Sequence, residues 1–311
     1  MTADAWKPPK DFWQMKTSLT KDELRNDLLY NTLKALSKSL SHLGIPLYVV
    51  GATARDIMMK LLKEDEARRR TNDLDVAIAL QDWADFDKVK DTLQFNHFEK
   101  MEDKQKFFYK GENNDNDFEV DIVPFGKIAT NEQICWPPEG NPVMSVKCFE
   151  DVMSHSISIS VNDDVSFKIA PLCGQFLIKF DTWIDRHAST DKDATDMFYF
   201  LDKYYTTMVM NDVTPPDEIG PHENEDDLDI VILSARWMAY DIGEMLNTEH
   251  LEYYIQSIQN ELDKEENSML LYHFTKNMDE DKEDKYEICH EIWSNIKYYL
   301  QKRLEQKNNG N

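Results

Sequence analysis

Within residues 47–80 a short apolar run, Leu-Tyr-Val-Val, stops at Gly51, a helix-prone stretch follows at 55–62, and a second apolar run opens on Asp73-Leu74-Asp75. Few folds accept that succession. The runs at 47–50 and 74–80 are short, apolar and β-prone, as buried strands are. Gly51 leads the turn Gly-Ala-Thr-Ala between the first strand and the helix, where freedom of φ is useful. Strand, turn, helix and strand together require a sheet with helices packed on it.

The rest of the chain extends that pattern. FFYK (107–110) and FEVDIVPF (118–125) flank the polar GENNDND and predict a hairpin. ISISV (157–161) and VSFKIA (165–170) predict another, turning at Asn162-Asp163. Upstream, Leu24, Leu28, Leu29, Leu33, Leu36, Leu40 and Leu43 recur near a 3.6-residue period, so 21–43 is expected as one amphipathic helix. Thr20 would cap it and Glu23 complete a capping box, and Gly44 and Pro46 would end it. Helices are expected at 172–186, at 194–205 and repeatedly from 228 onward. The tail aromatics Tyr253, Tyr254, Trp293, Tyr298 and Tyr299 fall at helical spacing and fit core packing better than base stacking. Pro215, Pro216, Pro221 and a dense acidic run make 211–227 the linker candidate. The expectation is an α/β (α+β) fold: a small mixed-sheet core domain over 1–210, the linker 211–227 and an all-helical accessory domain over 228–311.

With 59 acidic against 35 basic residues the formal net charge is −24, a field that repels polyanions. Extended, sequence-blind nucleic-acid binding is therefore excluded as a main activity. A nucleotide is a different matter, because a local pocket holding divalent cations overrides the global field. The four cysteines, Cys135, Cys148, Cys173 and Cys289, form no C-x-x-C pair, so neither a zinc site nor a disulfide framework is indicated. No apolar run approaches the roughly 18–20 residues of a membrane span, and the first residues lack the apolar stretch of a signal peptide. A soluble cytoplasmic protein is expected.

Acidic residues are so common here that a bare D-x-D means little: the pattern starts at Asp73, Asp85, Asp115, Asp191, Asp227 and Asp279. Context separates them. Asp73-Leu74-Asp75 opens an apolar strand after a strand, a glycine turn and a helix, whereas Asp227-Leu228-Asp229 lies in the acidic linker candidate. Strand alternation puts Leu74, Val76 and Ile78 on one face and Asp75 on the other; Phe118, Val120 and Ile122 likewise face away from Asp121. Carboxylates clustered on such a surface suit one or two Mg²⁺ (or Mn²⁺) ions that also bind triphosphate oxygens. The plainer alternative is a pair of strand-edge aspartates in water.

The segments VVGATARDIMM (49–59), RRRTNDLDVAIAL (68–80) and FEVDIVPFG (118–126) resemble the active-site core of the polymerase-beta-like nucleotidyltransferase superfamily, and in particular the AbiEii-type nucleotidyltransferase family. ICWPPEGNPVMSVKCFEDVM (134–153), LIKFDTWIDRH and DKDATDMFYFL extend the likeness over about 45–205. Residues 1–20 and 211–311 lie outside it. The resemblance implies that Asp73, Asp75 and Asp121 hold the metals and that Gly51, Ala52, Thr53, Arg55 and Thr71 line the nucleotide, with Ala52 standing where a second glycine is usual. It implies that Lys179 neutralises triphosphate charge in the transition state, and that Asp193 or Asp196 is the family's last aspartate. On its helix Lys179 neighbours Phe176 and Trp183, so its stem is expected along apolar surface with the ammonium reaching out. Thr190 and Asp193 also form an ordinary capping box. Arg68, Arg69 and Arg70 fit either phosphate or RNA contact or an exposed charged loop.

The expected function is metal-dependent transfer of a nucleoside monophosphate, or a few nucleotides, from an NTP to a hydroxyl acceptor, with pyrophosphate leaving. The resemblance implies tRNA or a protein side chain as acceptor, a toxin-like role and an antitoxin-like partner. A non-catalytic nucleotide-binding or protein-interaction module that keeps the fold is the rival reading.

Overall fold

The computed structural model describes residues 17–63, 73–111, 117–220, 229–278 and 284–309. The chain divides into two compact units, 15–171 and 172–311.

The first unit is built on a mixed eight-stranded sheet. Its elements are β1 (Ser18–Leu19), α1 (Lys21–Leu24), α2 (Asp27–His42), β2 (Tyr48–Val50), α3 (Gly51–Leu61), β3 (Asp73–Ala79), α4 (Trp83–Phe95), β4 (Phe98–Lys100), β5 (Lys106–Tyr109), β6 (Phe118–Phe125), β7 (Gln133–Cys135), β8 (Val143–Ser145), α5 (Phe149–Ser154), β9 (Ile157–Val161) and β10 (Val165–Ile169). Strand order is β1-β9-β10-β2-β3-β6-β5-β4, with β7 and β8 forming a separate pair. The β3–β6 pair, next to the middle, is parallel, and β6 pairs antiparallel with β5. Leu74, Val76, Ile78, Val120 and Ile122 are completely buried, each contributing roughly 1.5–3 kcal/mol of apolar burial.

The second unit is helical: α6 (Leu172–Arg186), α7 (Lys192–Met210), α8 (Ile230–Met245), α9 (Thr248–Leu262), α10 (Met269–Thr275) and α11 (Lys285–Asn309). Trp183, Trp237, Tyr254, Phe274 and Trp293 are buried in it, and the rings of Phe180 and Phe274 lie 5.0 and 5.1 Å from Trp293. Tyr254, Trp293 and Tyr299 are therefore core residues, while Tyr298 is exposed. None of the described helices is long and apolar enough to cross a membrane. The protein is thus α/β, with a mixed sheet followed by a helical C-terminal region.

Three local expectations change. The segment 21–43 is two helices, because Arg25 adopts a left-handed φ of 53° and Asn26 caps a fresh start with bonds to the amides of Leu28 and Leu29; the capping box of Thr20 and Glu23 belongs to the first. The glycine turn is itself the first turn of α3. The division between units falls at 171/172, whereas the sequence reading set a linker at 211–227. Val213 and Ile219 are buried, and Tyr299 Oη donates to the Glu218 carbonyl at 2.8 Å, so the described part of that stretch is packed into the helical unit.

Candidate active site

The parallel register of β3 and β6 sets Asp75 opposite Asp121 and Asp73 opposite Glu119. Residues paired across strands share a face, as do residues two apart on one strand. Asp73, Asp75, Glu119 and Asp121 therefore project from one face, while Leu74, Val76, Val120 and Ile122 fill the other. Further along the same row, β5 sets Lys106 opposite Asp121 and β2 sets Val50 opposite Asp75. The row runs Lys106, Asp121, Asp75, Val50, and Val50 leads straight into Gly51.

Gly51 has a φ of +66°, and a Cβ built on it would lie 2.1 Å from Oδ2 of Asp75. The carboxylate thus occupies the space a side chain would need. It lies against the N-terminal turn of α3, which has no side-chain cap, and the free amides and dipole of a helix start favour negative charge. Thr53, in the same turn, donates from Oγ1 to the Asp73 carbonyl at 3.4 Å, tying helix to strand. Arg55, one turn in, is buried and pairs with Asp56 at 2.9 Å. The glycine expected among the nucleotide-lining residues makes room for Asp75.

Asp121 is the most constrained of the carboxylates. Its Oδ1 is buried with no hydrogen-bond partner among the described residues. Burial holds its carboxyl above the usual carboxylate range; Lys106 works against that shift, and Glu119 and Asp73 add to it. Lys106 meets Glu119 at 2.5 Å, and this bond keeps the ammonium's proton more tightly held than usual. A buried carboxylate oxygen without a donor is costly unless a cation takes it up. The donors here are all oxygen, which suits Mg²⁺ or Mn²⁺ and not a thiophilic metal. Among the described residues no three His, Cys, Asp or Glu side chains are already grouped as a metal site.

Lys179, Asp193 and Asp196 lie in the helical unit and meet one another there. The Lys179 ammonium is 2.8 Å from Asp196 and 3.3 Å from Asp193. Arg186 grips Asp193 from a second side with two bonds, Nε to Oδ2 at 2.7 Å and Nη2 to Oδ1 at 2.8 Å. Burial opposes the charge on Lys179, yet Asp196 and Asp193 outweigh it and raise its pKa. The ammonium expected to reach out is held between two carboxylates, because the helix start at Lys192 carries both onto its side. The expected Thr190 cap does not form as drawn: α7 starts after Asp191, and Thr190 Oγ1 accepts instead from the Lys192 amide at 3.3 Å.

The other D-x-D patterns have local roles where they are described. Asp85 follows the N-cap Asp82 of α4 and binds Lys88 at 2.8 Å, and Asp191 binds Lys276 at 3.1 Å. Thr71, Arg68, Arg69, Arg70, Asp115, Asp227 and Asp279 lie outside the described residues. Sequence reasoning missed Glu119 and Lys106. Glu119 was within reach, since it sits two residues before Asp121 on the same strand face; Lys106 depends on a register that neither strand announces.

No family model matches the chain, and no curated protein matches it. Among solved structures it is similar to one described as the complex structure of CCA-adding enzyme with ATP, at 14% identity over 90% of this chain and 72% of that chain, with a TM-score of 0.31. So loose a superposition carries no chemistry from one protein to the other.

Proposed function

We propose that the protein is a metal-dependent nucleotidyltransferase that moves a nucleoside monophosphate from an NTP to a hydroxyl acceptor. The observation behind this reading is the face shared by Asp73, Asp75 and Asp121, with Asp75 set against the start of α3 and Asp121 directly opposite it. These three residues would hold Mg²⁺ or Mn²⁺. Bound there, the ion would neutralise triphosphate charge and acidify the acceptor hydroxyl.

The chain's own groups divide the remaining work. The N-terminal amides of α3 offer donors and partial positive charge to phosphate oxygens, and glycine at 51 leaves room beside them for the Asp75 carboxylate. In the reaction a bond forms from the acceptor oxygen to the α-phosphorus, the bond to the β-phosphate oxygen breaks, and pyrophosphate departs. The acceptor's proton, acidified by the bound ion, would pass to water. The AbiEii-type resemblance supports a tRNA end or a protein hydroxyl as acceptor, and it supports Lys179 with Asp193 or Asp196 as further family positions.

Incubation of the full chain with each α-labelled NTP, Mg²⁺ and total tRNA or cell extract tests this. Label is expected in a macromolecular product, and Asp75→Ala should reduce it at least a hundredfold, the usual scale for losing a main transition-state contact. Full activity in that variant, or no transfer from any NTP to any fraction, would overturn the assignment.

A further inference from the structure

The sheet face with the carboxylates carries one described lysine in register with them. Lys106 stands directly across β5–β6 from Asp121, and its ammonium rests on Glu119, which stands across β6–β3 from Asp73. Its side chain is 28% exposed, so it is covered enough to be held in place and still accessible to solvent. The row is therefore bounded by positive charge at both ends, the ammonium of Lys106 beyond Asp121 and the start of α3 beyond Asp75. In a chain of net charge −24, a triphosphate arriving at this face meets strong repulsion unless local positive groups offset it.

We infer that Lys106 is a nucleotide-binding residue of this face, parked on Glu119 in the free protein and passing to the phosphate oxygens of the NTP when the nucleotide binds. This rests on the nucleotidyltransferase reading above. Glu119 acts as the resting partner: it keeps Lys106 extended over the face and gives it up to a more highly charged acceptor. The transfer of one ammonium between two anionic partners needs no bond making beyond hydrogen bonds, and a triphosphate with its several negative charges attracts the ammonium more strongly than a single carboxylate. The alternative is that Lys106 and Glu119 are simply a cross-strand ion pair that supports the sheet, which such partly exposed pairs do only weakly.

Equilibrium binding of ATP, CTP, GTP and UTP in turn, each with Mg²⁺, separates these roles when carried out on the full chain and on Lys106→Met, Lys106→Arg and Glu119→Gln, with melting followed in parallel. If Lys106 meets phosphate, Lys106→Met weakens binding of the preferred nucleotide about tenfold or more, the scale of one charge-assisted bond. Lys106→Arg should then stay within about threefold of the parent, and Glu119→Gln should bind equally or more tightly because it frees the ammonium and removes a like charge from the nucleotide's path. If the pair is only structural, Lys106→Met and Glu119→Gln lower the melting temperature alike and affect binding alike, and the inference falls. Parent-like binding by Lys106→Met would also overturn it. Transfer by Asp75→Ala tells the two levels apart: inactive Asp75→Ala with parent-like Lys106→Met sinks only the role of Lys106, whereas active Asp75→Ala sinks the site and this inference with it.

Discussion

Asp241 shows how burial alone changes a residue's chemistry. It lies within α8, accepts a hydrogen bond from Tyr204 Oη at 2.5 Å, and burial pushes its carboxyl up to about 7, with Tyr204 pulling in the other direction. Because the folded pKa is raised above the ordinary 3.8, protonation favours the folded state. The penalty is absent below about pH 4, grows as pH rises and is complete above about pH 7. Stability should therefore fall between those limits by an amount on the order of 4 kcal/mol. Asp241→Asn keeps an acceptor for Tyr204 without the charge, so it should raise the denaturation midpoint at pH 8 and leave it nearly unchanged at pH 4. Parallel pH curves for parent and variant would show that this carboxyl does not titrate on unfolding.

At the scale of elements, the junction of β2 and α3 is the most tightly specified. Gly51→Ala forces a Cβ into the Asp75 carboxylate while φ is +66°. A loss of about 1–3 kcal/mol is expected from strain and clash, together with loss of transfer because Asp75 must move; an active, equally stable variant would mean that the strand and helix do not meet this way. In the helical unit, Lys179→Met should cost about 1–3 kcal/mol, moderated because Arg186 still holds Asp193. Denaturant unfolding measures this, and an unchanged midpoint with lost transfer would assign Lys179 to chemistry instead of packing.

The strands themselves were legible. Alternation in LDVAI and FEVDIVPF separates the buried leucine, valine and isoleucine positions from the aspartates. What was hidden is pairing. Nothing within 73–79 or 118–125 encodes that Asp75 lies opposite Asp121, or that Lys106 completes their row, because register is a property of two strands together. The break at Arg25 was hidden for a different reason: Leu24 and Leu28 keep helical spacing across it, so periodicity alone passes over a single left-handed residue. The unit boundary was misplaced because prolines and acidic charge signal a linker, yet Val213 and Ile219 in the same stretch are buried.

For the whole molecule, a net charge of −24 and a site rich in carboxylates would oppose nucleotide binding unless a divalent cation joins it. The sheet unit and the helical unit each have their own buried core, so loss of a carboxylate at the sheet face should leave both folded. Mn²⁺ binding by the full chain, followed by its paramagnetic resonance with and without NTP, tests this most directly. The account predicts that NTP tightens Mn²⁺ binding and that Asp75→Asn and Asp121→Asn each weaken it at least tenfold with folding intact. Mn²⁺ binding indifferent to NTP, or unchanged in both variants, would contradict it.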